Sequence, residues 1–306
     1  MTMKSLTPKE RVSATLCHHE TDRFPRGELL VEEAFLDRLY PEKSGIPYDE
    51  KLRHFIEEMD IDVVTLTVDS ENCDAGLKEL DKWANETTRF VMALVNGLFW
   101  QQEDPLTFEK FLIGLIGGED DVRELIRQKK KRCRGLIQRC LERGAHGVMI
   151  GDDLAYNKGP FLSPKDLAKW IFPGLREMVE DIKKGGGAAF LHSCGNLMGI
   201  VDQILAAGFD GVHGLALSAG NDPLSLKQMT QKRLALMGIF EVDRLGPQDI
   251  DAMKEEILGP LTDGGGYILG SSEGLSIYTP IDSFRALYAE SARGGRGLIP
   301  RCSAVG

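Results

Sequence analysis

Gly185-Gly-Gly-Ala-Ala-Phe-Leu-His-Ser-Cys-Gly-Asn196 holds one structural period of the chain in a single stretch. The glycines end a helix, the apolar residues 188–191 have the length of a buried strand, and the strand stops at a polar cluster opening with His192. Gly185-Gly-Gly187 does not read as a phosphate cradle. It leads from a helix into a strand, so it lies at the end opposite the strand terminus.

The same period recurs on both sides. Upstream, residues 147–150 read as a strand ending at Gly151-Asp-Asp153, and a helix opens at Ser163-Pro164 and runs to residue 184. Downstream come a helix at 197–207, a strand at 211–213, a helix at 223–230, a strand at 234–237, a helix at 247–261, a strand at 267–269 and a closing helix at 280–292. The first half adds candidate strands at 26–30, 62–68 and 90–95, with amphipathic helices between them. Strand and helix alternating through short glycine turns indicate an α/β fold on a parallel sheet. Eight strands, and no glycine-rich dinucleotide fingerprint after the first, favour a (β/α)8 TIM barrel over an open sheet. We read residues 1–306 as a single domain, with the glycine-rich 294–306 a poorly ordered tail. At the other end, Thr7 is placed as an N-cap with Pro8 in the first helical turn.

Composition narrows the function classes. Hydrophobic residues make up 42% of the 306 residues, enough for a full core, and the formal net charge is −10. That balance argues against nucleic acid as a partner, since phosphate contacts need a basic face. The basic run 127–134 reads as the solvated face of a helix. With no signal-like start and no apolar run of about 18 residues, no membrane association is expected. Six cysteines without disulfide-like spacing fit a reduced, cytoplasmic protein.

In such a barrel the chemistry gathers where the strands end. Those ends carry Glu28, Asp69, Asn96, Asp152, Asp153, His192, Cys194, His213, Glu241 and Glu273. His192 and Cys194, two apart, can turn an imidazole nitrogen and a thiolate toward one point, a pairing suited to zinc or another borderline-soft metal. A third ligand must come from another strand, and Glu273, His213, an aspartate of the 152–153 pair and Cys302 are the candidates. Asp152 and Asp153 point opposite ways on extended chain, so one of them faces the site as a general base, a group orienting a metal-bound histidine or a ligand for a cationic substrate group, or else serves as a loop acid capping the following turn. Asn196 is either a substrate ligand or a helix cap. Glu28, Asp69, Asn96, His213 and Glu241 are expected to line the substrate site.

With these residues, the chain resembles the uroporphyrinogen decarboxylase superfamily, which includes zinc- and corrinoid-linked methyltransferases. The likeness runs from Thr7-Pro-Lys-Glu-Arg-Val12 to the last helix. It is strongest at Gly151-Asp-Asp153, Pro160-Phe-Leu-Ser-Pro164, Phe172-Pro173, Leu191-His-Ser-Cys-Gly-Asn196 and Thr279-Pro280. The resemblance implies a barrel with its site in the mouth. In the decarboxylases an arginine-rich N-terminal segment grips a tetrapyrrole bearing many carboxylates. The matching Asp22-Arg-Phe-Pro-Arg-Gly-Glu28 offers Arg26 alone, and the acidic strand ends would repel that substrate. The methyltransferases carry His-x-Cys and a later Cys on zinc. His192 and Cys194 match the first two, and Glu273 stands at the later position. The resemblance therefore implies a methyltransferase moving a methyl group between a small molecule and a corrinoid carried by a partner protein, with His192, Cys194 and Glu273 on zinc and Asp152, Asp153 and Asn196 serving catalysis. The alternatives are a uroporphyrinogen decarboxylase or a decarboxylase-like enzyme acting on another carboxylated substrate, and a barrel that binds a corrinoid or tetrapyrrole without turnover.

Overall fold

The computed structural model describes residues 5–43, 45–69 and 73–289; the predicted tail 294–306 and Cys302 lie outside them. The strands are β1 (Val63–Thr67), β2 (Phe90–Asn96), β3 (Gly147–Gly151), β4 (Ala155–Tyr156), β5 (Gly159–Pro160), β6 (Ala188–His192), β7 (Gly211–His213), β8 (Ala235–Met237) and β9 (Tyr267–Ile268). Seven of them form one sheet in the order β1-β2-β3-β6-β7-β8-β9, with every pairing parallel. The small antiparallel hairpin β4-β5, which the sequence did not announce, follows β3.

Both edges of this sheet meet the same dipeptide. Gly27 bridges Val63 of β1, and Arg26 bridges Leu269 just past β9. The sheet is therefore curled, with helices outside. The strand expected at 26–30 forms these bridges without a regular ladder, because two ladder positions are diverted to side chains. The Glu28 carbonyl accepts from the Thr65 hydroxyl at 2.8 Å, and Ser271 N–H donates to the Glu28 carboxylate at 3.2 Å.

Two cores follow from strand alternation. Val63, Phe90, Met92, Met149, Phe190, Met237 and Ile268 face inward and pack with Leu29 and with Val12 of helix Pro8–Leu16. That helix starts as expected, with a Thr7–Glu10 capping box and Pro8 in its first turn. It closes the end of the sheet where the strands begin: Lys9 N–H donates to Thr88 O, and Gly266 N–H donates to Thr15 O, each at 3.0 Å. The larger core lies between the sheet and the outer helices. The opposite end, where the strands terminate, carries the residues expected to form the site. There the register aligns Asn96, Gly151, His192 and His213 in one row across β2, β3, β6 and β7.

Some boundaries differ from expectation. The helix expected from 163 to 184 divides into Pro164–Trp170 and Phe172–Lys184, because Pro173 lacks the N–H that would continue the ladder. The helix at 197–207 opens with a 3-10 turn, Met198–Ile200, and the closing helix spans Ile281–Tyr288. The basic run lies on helix Asp120–Glu142, where Arg127 is exposed as expected. Lys129 is instead buried, donating to Phe99 O at 2.5 Å and to Asp104 at 2.7 Å.

Candidate metal centre

At His192 the chain leaves β6 sharply. Ser193 is buried, and its hydroxyl accepts from Leu154 N–H at 2.9 Å. Gly195 adopts φ +87°, a left-handed conformation that suits glycine. This turn brings Cys194 back beside the strand end, placing its Sγ 3.7 Å from His192 Nε2. The Cys194 N–H donates to Asp153 Oδ1 at 2.9 Å, which ties the turn to the end of β3. Ligand atoms of Asp153, His192 and Cys194 all lie within 4.8 Å of one another. Glu273, in the loop after β9, falls outside that group, but its Oε2 accepts from the Cys194 thiol at 3.5 Å.

Behind His192 lies a second imidazole. His192 Nδ1 and His213 Nδ1 are 2.8 Å apart. His213 is fully buried, and its Nε2 lies 3.1 Å from the Ser271 carbonyl oxygen. Burial lowers the proton affinity of both rings, strongly at His213, while the charge of Asp153 works the other way on His192. Burial, followed by the charges of Asp153 and Glu273, pushes the Cys194 thiol well up. Burial also raises Glu273, against the thiol hydrogen bond that lowers it.

This is a cluster rich in donors, whose thiol and carboxylates disfavour each other's ionised forms; a divalent cation would relieve that conflict. The spacing suits zinc. Bonds of about 2.0–2.1 Å to nitrogen and about 2.3 Å to sulfur at a tetrahedral angle put the two ligand atoms about 3.6 Å apart. The observed separation is 3.7 Å. The residues present therefore fit the metal that the motif implies.

Over residues 105–293 the sequence matches the uroporphyrinogen decarboxylase (URO-D) family. The chain belongs to that family. No curated protein sequence matches it significantly. A methyltransferase from Methanosarcina mazei is similar in structure with a TM-score of 0.75 and 16% identity, covering 92% of this chain and 97% of that one. A 3-keto-D-glucoside 4-epimerase from E. coli is similar at a TM-score of 0.51 and 15% identity, covering 87% and 95%. At such identities the likeness concerns the fold.

The remaining strand-end residues of this URO-D family member divide into two groups. Asn96 and Asp153 are exposed on the same side as His192. Asp152, Glu28, Glu241 and Asn196 are engaged in holding loops and turns. Asp152 is fully buried and accepts from Leu98 N–H at 2.9 Å and Phe99 N–H at 2.8 Å; burial pushes its carboxyl up to about 6. Glu28 accepts from Tyr288 OH at 2.5 Å and from the Ser271 hydroxyl and N–H. Glu241 is buried and accepts from Ser218 N–H at 2.9 Å and from the Ser218 hydroxyl. Asn196 caps its own turn, accepting from Met198 N–H at 3.1 Å. Asp69 is half-buried just past β1. Sequence reading missed Ser271 and Tyr288. Ser271 acts partly through its backbone, which no side-chain pattern announces, and Tyr288 reads as an ordinary apolar position on an amphipathic helix.

Proposed function

We propose that this URO-D family member is a zinc-dependent methyltransferase moving a methyl group between a small molecule and a corrinoid held by a partner protein. The observation that carries this reading is the 3.7 Å His192–Cys194 pair grouped with Asp153. The near full-length likeness to the Methanosarcina methyltransferase supports the choice of branch. So does Arg26, which a decarboxylase would need free for substrate carboxylates. Its guanidinium donates to Met59 O at 2.8 Å and packs over the Tyr288 ring at 5.5 Å.

In this reading His192 and Cys194 are two protein ligands, and either Asp153 or Glu273 supplies the third. Asp153 is favoured by its place within the 4.8 Å group. A fourth position is left for the small molecule, and zinc when bound supplies Lewis-acid activation of its heteroatom. Asn96 offers an exposed amide to the substrate, and Asp152 positions the Leu98–Phe99 backbone beside it. We take residues 1–306 as one domain and residues 26–31 as the eighth stave of a TIM barrel, supported by the bridges from residues 26–27 to both sheet edges. Free thiols at Cys17, Cys73, Cys133, Cys140 and Cys194 support a cytoplasmic setting.

The test is metal analysis of protein purified without chelator, paired with methyl transfer using methylcobalamin as the corrinoid probe. Wild type should hold about one zinc per chain, consistent with one ligand set. Cys194→Ala should lose most of the zinc and the activity, and Asp153→Ala should lose more zinc than Glu273→Ala. Wild type that transfers methyl groups while metal-free after zinc supplementation would overturn the reading.

A further inference from the structure

The paired imidazoles constrain where hydrogens can sit. His213 Nε2 lies 3.1 Å from the Ser271 carbonyl oxygen, which can only accept, so that nitrogen carries a hydrogen. A neutral His213 then has a bare Nδ1. The 2.8 Å contact between the two Nδ1 atoms needs one hydrogen between them, and His192 must supply it. With its hydrogen on Nδ1, neutral His192 has its lone pair on Nε2, the atom 3.7 Å from Cys194 Sγ. The ring is neutral on physical grounds: His213 is fully buried, and among the described residues its ring nitrogens meet His192 and a carbonyl rather than a carboxylate that would favour an imidazolium.

We propose that His213 is a positioning residue, which with the Ser271 carbonyl locks His192 in the Nδ1–H tautomer and aims a bare Nε2 at Asp153 and Cys194. A free imidazole would distribute between tautomers, and the Nε2–H form has no lone pair to give a metal there. The Ser271 carbonyl is itself fixed, because Ser271 N–H and its hydroxyl bind the buried Glu28 carboxylate, which Tyr288 also holds. The relay thus runs from the closing helix through Glu28, Ser271 and His213 to His192. Its consequence for metal rests on the zinc reading above; the tautomer does not.

The experiment separates the two. Long-range 15N–1H spectra of metal-free protein report which ring nitrogen of each histidine is protonated, with signals assigned from His192 and His213 variants. Wild type should give His192 protonated at Nδ1 and His213 at Nε2. His213→Leu should release His192 toward the Nε2–H form and weaken zinc binding about tenfold to a hundredfold, measured by competition with a chromophoric chelator. His213→Asn, whose side-chain oxygen lies where the ring Nδ1 does, should restore both the tautomer and most of the affinity. A bare Nδ1 on His192 in wild type, a doubly protonated His213, or a His192 tautomer unchanged in His213→Leu would overturn the proposal. The expected tautomers with no zinc uptake would support the relay and instead refute the metal reading.

Discussion

Glu28 illustrates how one buried acid couples stability to pH. Burial pushes its carboxyl up to about 7 from an ordinary 4.5, against the hydrogen bonds from Ser271 and Tyr288 that lower it. The folded chain therefore binds this proton more tightly than the unfolded chain. The stabilisation is fully present below about 4.5 and is lost as pH rises through about 7, with an amplitude on the order of 3 kcal/mol. Asp152, raised to about 6, contributes a similar slope at lower pH. His192 and His213, whose proton affinity is lowered, slope the other way, gaining stability as pH rises toward the unfolded value and levelling off above it. Comparison with Glu28→Gln isolates the one group. Urea unfolding from pH 5 to 8 should show wild type losing stability relative to the variant across this window. Parallel profiles would mean that Glu28 ionises in the fold as easily as in the open chain. The same residue shows what side-chain type alone does not separate: a carboxylate at a strand terminus can be exposed, as Asp153 is, or clamp a loop, as Glu28, Asp152 and Glu241 do.

The turn after β6 places the two central donors, and its geometry leaves no room for a side chain at Gly195. A Cβ there would lie 2.4–2.5 Å from the backbone of Ala155 and Tyr156, in a residue already at φ +87°. Gly195→Ala should therefore cost roughly 2–4 kcal/mol through left-handed strain and displacement of the β4-β5 hairpin. Because Cys194 precedes it, zinc retention should fall as well, although every ligand remains. Denaturant midpoints and metal content measure both effects; an alanine variant with wild-type zinc would show that the turn does not place the thiol. At this scale the sequence was most legible. Short, mainly apolar runs flanked by glycine or polar residues located β1, β2, β3, β6 and β7 within a residue or two, and the Thr7 and Ser163 caps fixed helix starts. The hairpin was hidden because Ala155-Tyr156 and Gly159-Pro160 are too short to show a period. His192 and Cys194 were legible as a pair, since adjacency along the chain fixes their proximity. The contact of His192 with His213 depends on the β6-β7 register, which one sequence does not display.

For the whole molecule, the decisive joint is where residues 26–31 meet the two sheet edges. Gly27 N–H donates to Leu269 O and Leu269 N–H to Pro25 O, each at 2.8 Å; Val63 N–H donates to Arg26 O at 3.0 Å. These bonds tie residues 25–27 to both edges of the curled sheet, and through Glu28 and Ser271 the same joint supports His213. If the curled sheet is closed in solution, the amides of Gly27, Leu269 and Val63 open only with the sheet as a whole. Native-state hydrogen exchange should then give them protection comparable to the centres of β2 and β6. An edge segment lying loosely on the sheet would exchange orders of magnitude faster, since local opening would expose it without breaking the core. Gly270 supplies a way to force the joint: a Cβ there would sit 2.0 Å from the Gly27 carbonyl oxygen, too close to be absorbed by side-chain motion. Gly270→Ala should cost roughly 2–4 kcal/mol and strip protection from Gly27 and Leu269, while the amides of β2 and β3, across the sheet, retain theirs. Fast exchange at Gly27 and Leu269 in wild type would show an open sheet with a docked segment, and the support of His213 by Ser271 would then have to come from the β9 loop alone.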